Sequence, residues 1–289
     1  MIRRTTGTDF WLITQQAHAD AAAVLAGHFG HDRDGLYAPP ADRDRFRQAV
    51  SLHDAGWEPI DADLPLNAAG LPLDVFDERR FDLSARIGLD SARRAAAVDP
   101  YAGLLTSLHF CRFSREPADS AEQFAMLEYQ QDQAELQDEL RQALGLSQDD
   151  PDFTTDAGLA VDPADPREHG ITADFRRLRA CDMLSLCACR TDLPTKRIGP
   201  VPRSDAGRSL PIEVSRENWN PTSDHAGDLV VHPWPFKVDA IELEMAYRPV
   251  PATSYPSPSA LADALASSVP GTLRVTVRPR NHAGSMVEA

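Results

Sequence analysis

The stretch SLHDAGWEP, residues 51–59, constrains the fold more than any other part of the chain. His53 lies seven, four and three residues after Phe46, Ala49 and Val50, so it continues an apolar helical stripe and points inward. Gly56 then breaks the period. Side chains 53 and 54 diverge by about 100° inside a regular helix, but at a helix end they can converge on one point.

The same conflict recurs in other predicted helices. In DFWLITQQAHADAAAVLAGHFG, predicted as one helix over residues 9–30, His18 shares a face with Trp11, Ala21, Ala22 and Leu25. In PYAGLLTSLHF, His109 lies over Leu105, and in TADFRRLRACDMLSLCACRT, Asp182 shares a stripe with Phe175, Leu178, Ser185 and Leu186. A buried carboxylate without a partner costs several kcal/mol or takes up a proton, so inward charges on four helices need a common cause. A divalent metal (Fe, Mn, Zn or Mg) meets that need, because helical bundles build such sites from facing imidazoles and carboxylates. The bland alternative is a set of hydrogen-bonded core residues, with His109 the candidate closest to it.

Composition narrows the partners. With 289 residues and 42% hydrophobic side chains, the chain can bury a sizeable core, while a net charge of −15 argues against nucleic acid and anionic membranes. A small-molecule substrate is the expected partner. No apolar run reaches membrane-spanning length and no secretory leader pattern follows MIRR, so a soluble cytoplasmic protein is expected. Cys111, Cys181, Cys187 and Cys189 lack zinc-knuckle spacing and read as small buried thiols.

Along the chain, helices are expected over PPADRDRFRQAVSLHDAG with Asp42 as N-cap, over SARIGLDSARRAAAVD, from Pro100, and over the long charged segment ADSAEQFAMLEYQQDQAELQDELRQALGL, with Pro117 marking its approach. A proline-bearing loop follows Trp57, and residues 147–170 read as an acidic insertion. After residue 192 the character changes to β-branched runs such as DLVVHPWPF, AIELEMAYRPV and TLRVTVRPR, with one short helix in SPSALADALASS. The expected fold class is mainly α. It comprises a helical domain over 1–192 and a small C-terminal α+β appendage over 193–289 packed on it, to which the MIRR strand could pair. That apolar C-terminal region would also support a homodimer.

A histidine on the first helix, an adjacent His-Asp pair and a distant helical Asp resemble the H…HD…D signature of the HD-domain superfamily of metal-dependent phosphohydrolases. WLITQQAHADAAAVLAGHFG, AVSLHDAGW, LLTSLHF, RACDMLSLCAC and VHPWPF together resemble the DUF3891 family of uncharacterised bacterial proteins. The HD likeness implies an HD-domain-like helical bundle with His18, His53, Asp54 and Asp182 as metal ligands. It implies His109 as a second-metal ligand or general acid, Asp54 as a bridge between two ions, and phosphoester hydrolysis by metal-activated water. Asp61, seven residues beyond Asp54, could reach the metal or its water. An HD-type di-iron oxygenase and a non-catalytic, metal-stabilised ligand-binding or sensing protein are the alternatives.

Overall fold

The computed structural model describes residues 1–31, 36–37, 39–77, 81–111, 119–146, 170–192, 196–203 and 209–280. The chain opens with two paired strands, β1 (Ile2–Thr6) and β2 (Asp9–Ile13). Gly7, with φ at 72°, makes the left-handed step that the tight turn between them requires. The helix expected from Asp9 therefore starts later. Thr14 caps α1 (Gln15–His28) by accepting from the Ala17 N–H at 3.0 Å, and DFWLI before it is strand.

Asp42 caps α2 (Arg43–Leu52) as its position predicts, accepting from the Arg45 N–H. A 3-10 turn (Ala55–Trp57) leads into the five-residue α3 (Glu58–Ala62) and the irregular segment beyond it. Then come α4 (Phe81–Val98), α5 (Pro100–Phe110), α6 (Ser120–Leu144) and α7 (Ile171–Cys189). Pro100 occupies the first turn of α5, where its missing N–H costs nothing. Pro117 and nearly all of the acidic insertion lie outside the described residues.

The remaining elements are β3 (Lys196–Val201), β4 (Leu210–Glu217), β5 (His225–His232), β6 (Ile241–Pro251), α8 (Pro258–Ser267) and β7 (Gly271–Pro279). All seven strands form one curled mixed sheet in the order β1-β2-β6-β7-β5-β4-β3, antiparallel except for the parallel β5–β7 pair. This overturns the mainly α, HD-like helical bundle with a small appendage. The described residues are about 49% helix and 25% strand, and the fold is α+β. The sheet is no appendage, since the N-terminal hairpin enters it through β2 against β6 and the larger core cluster runs from α1, α2, α5 and α7 into the strands.

Two contacts tie the layers together. Phe236, after β5, meets Phe29 at the end of α1 edge-on at 5.6 Å, both fully buried. Arg4 of β1, also fully buried, donates to the Ala188 and Cys189 carbonyls at 3.2 Å, placing its charge at the negative end of α7. Thus the sheet positions the helix that carries Asp182. Cys181, Cys187 and Cys189 are the buried thiols expected, whereas Cys111 is exposed. Among the described residues no helix is long and apolar enough to cross a membrane.

Candidate metal centre

Four helical segments deliver five polar side chains to one place. His18 comes from the first turns of α1, His53 is the C-cap of α2, His109 lies in the last turn of α5 and Asp182 lies in mid α7. Asp54 leaves the helix at φ −109° and ψ 17°, which turns its carboxylate toward the imidazole of its neighbour. All five are buried.

The distances describe a cage. Asp182 Oδ1 lies 3.0 Å from His18 Nε2 and 3.7 Å from His53 Nε2, while Asp54 Oδ2 lies 3.8 and 3.4 Å from the same two nitrogens. Coordination at about 2.1 Å places neighbouring donors roughly 3.0–3.5 Å apart, a range that the 3.0 and 3.4 Å separations meet and the 3.7 and 3.8 Å ones slightly exceed. Two overlapping groups could hold a metal, His18–His53–Asp182 and His53–Asp54–His109.

The outer contacts fix which nitrogens face inward. His53 Nδ1 donates to the Val50 carbonyl at 2.7 Å. Ser185 Oγ spends its proton on the Asp182 carbonyl, so at 2.8 Å it accepts from His18 Nδ1. Both imidazoles therefore turn Nε2 toward the carboxylates, the arrangement by which second partners orient metal-ligating histidines. His53 Nε2 is fully buried and has no hydrogen-bond partner among the described residues, an atom that a metal ion would satisfy. Ser185→Ala should lower metal affinity about 10-fold, read by competition with a chromophoric chelator, because His18 loses the contact that fixes its tautomer.

The electrostatics match. Burial works against charge on His53, but Asp54 and Asp182 outweigh it and raise its pKa to about 9. Burial raises the Asp54 carboxyl above its ordinary value, against the pull of His53 and His18. Burial would also raise Asp182, yet the close approach of His18 and His53 holds it well below the usual range. His109 is pushed down to about 3 by burial and is a neutral imidazole at pH 7. Without a metal, the proton held on His53 helps to balance the carboxylates.

Asp61 is not part of the cage. Its carboxylate accepts from the Gln15 N–H at 2.6 Å and pairs with the Met1 amino group at 2.6 Å. Gly56 is what lets the His53–Asp54 turn sit against α4. Its N–H donates to Ser91 Oγ, and an added Cβ would lie 2.6 Å from Ser91 N. Gly56→Ala should lower stability by about 1–3 kcal/mol, seen as a lower urea midpoint at unchanged m-value.

Four of the five cage residues, His18, Asp54, His109 and Asp182, line a cavity of about 150 Å³. Trp57, Val75, Phe81, Ile87, Tyr129 and Met183 supply apolar walls, and among the described lining residues there is no Lys or Arg. Sequence reasoning centred on ionisable groups misses these walls and Gln15, which also lines the cavity one helical turn from His18.

A family of proteins of unknown function, DUF3891, matches residues 1–252. The chain belongs to that family. The DUF3891 match spans all five cage residues and Gln15 and stops just after β6, so α8 and the central strand β7 lie beyond it. No curated protein and no solved structure matches the chain.

Proposed function

We propose that the protein is a metal-dependent hydrolase of a small phosphoester. The observation that carries this reading is the convergence of two outward-pinned histidines and two buried carboxylates beside a cavity. In donor type and chain order, His18, His53–Asp54 and Asp182 match the H…HD…D pattern, which in HD proteins serves phosphoester hydrolysis. The likeness lies in the donors and leaves the α+β fold as described.

His18, His53, Asp54 and Asp182 would hold the ion, and a second ion would draw on Asp54 and His109. A divalent ion there supplies Lewis acidity and lowers the pKa of bound water to about 7. Two carboxylates would offset its charge, while the neutral His109 imidazole would add a donor for the second ion. With no cationic side chain among the described lining residues, phosphoryl charge would be met by the metal site. The apolar walls favour one second reading, a metal-stabilised binding or sensing protein without turnover. A di-iron oxygenase would need histidines beyond His18, His53 and His109, and none lines the cavity among the described residues.

Elemental analysis of purified wild type, His53→Ala and Asp54→Ala, with para-nitrophenyl phosphate turnover after adding Mn, Fe or Zn, tests the proposal. Near-stoichiometric metal in the wild type alone, with turnover, supports hydrolysis. Metal without turnover supports the binding reading, and iron with an optical band would support oxidation. No metal in the wild type defeats the proposal.

A further inference from the structure

Gln15 carries an unanswered polar group. Its side chain is fully buried, and neither its amide nitrogen nor its amide oxygen has a hydrogen-bond partner among the described residues. It lines the same cavity as His18, three residues further along α1 and so on the same helix face. A buried primary amide left unsatisfied destabilises a fold, and such groups persist where a ligand completes them. Its backbone is engaged elsewhere, since the Gln15 N–H is held by Asp61 Oδ2. The amide therefore stands ready beside the cage.

The remainder of the cavity sets the other half of the ligand. A dry cavity of about 150 Å³ with aliphatic and aromatic walls takes one benzene ring. This cavity has that volume in all and is partly open to solvent, so a ring can lie against Trp57, Phe81, Ile87 and Met183 and extend toward the opening while its head group reaches His18, Asp54, His109 and Asp182. One end is apolar and the other is charged.

We propose that the substrate is a phosphoester of a single phenyl-sized apolar group, and that Gln15 binds its head group, Nε2 donating to a phosphoryl oxygen. The inference rests on the proposed phosphohydrolase reading. It assigns Gln15 a ligand-binding role and the apolar walls a selective one.

The test uses the full chain loaded with manganese and two non-hydrolysable probes, phenylphosphonate and methylphosphonate, with binding measured by calorimetry. Phenylphosphonate should bind at least tenfold tighter than methylphosphonate. Gln15→Leu should weaken both at least tenfold and yet raise the melting temperature of the ligand-free protein, because it removes an unsatisfied amide. Ala85→Phe, which fills the cavity from α4, should weaken phenylphosphonate at least tenfold and leave methylphosphonate within about twofold.

Equal binding of the two probes overturns the apolar assignment. A Gln15→Leu protein that binds as the wild type does, or that melts lower, overturns the role of Gln15. Failure of both probes to bind metal-loaded protein overturns the inference as a whole. Metal content and turnover, measured separately, show whether the hydrolase reading has failed with it.

Discussion

Asp182→Asn should abolish metal binding and with it any hydrolysis. Asp182 is the anion closest to His18 Nε2, at 3.0 Å, and also lies 3.7 Å from His53 Nε2, where Asp54 is nearer at 3.4 Å. Asparagine keeps the volume and one oxygen but removes the charge, leaving Asp54 as the only carboxylate opposite a divalent ion. Loss of an outer partner costs about 10–100-fold in affinity, so loss of a charged ligand should cost at least about 100-fold. Stability should fall less, by about 1–3 kcal/mol, because His53 can release its proton once the buried anion is gone. Elemental analysis after dialysis, with circular dichroism to establish folding, checks this result. Asp61→Asn is the control and should keep its metal, since that carboxylate serves Met1 and the Gln15 N–H. Stoichiometric metal in folded Asp182→Asn would remove Asp182 from the site.

The cage was legible because inward polarity leaves a trace in sequence. His53 continues the stripe of Phe46, Ala49 and Val50, Asp42 marks the helix start and Gly56 the break, and all three hold in the structure. The first helix was harder to read. DFWLI contains no glycine or proline break before the helix, so its five residues join the helical pattern, and only Thr14, capping Ala17, signals the boundary. That boundary removes Trp11 from the face of His18 and places it in β2, where it stacks on Tyr247 at 4.1 Å.

The sheet was harder still, because its pairing joins the two ends of the chain. Strand-like runs are visible near residue 1 and after residue 192, but period-two patterns do not state which strands pair. Insertion of β7 between β6 and β5 depends on packing over the whole sheet. Gln15 illustrates a different gap. A neutral amide at a helix start carries no signal of its own, and only three-dimensional burial shows that its hydrogen bonds are unmet.

Metal-free and metal-loaded protein should respond to alkali in opposite ways. His53 has its pKa raised to about 9 in the folded chain, against about 6.5 when unfolded. A raised group gives its full stabilisation below the unfolded value and loses it as pH climbs through the folded one. Between pH 6.5 and 9 the metal-free protein should therefore lose about 3 kcal/mol. Asp54, also raised, contributes with the same sign. His109 is depressed to about 3, so its folded state disfavours protonation and stability falls as pH drops below about 6.5. A maximum near pH 6.5 follows for the metal-free chain. Metal binding must displace the His53 proton, so affinity should rise about tenfold per pH unit from 7 toward 9, and the loaded protein should hold its stability there. Urea unfolding at pH 6.5, 7.5 and 9, in chelator and in excess manganese, measures both curves. Divergence with rising pH is the expected result, whereas parallel curves would mean that the four side chains form a proton-balanced structural cluster without a metal.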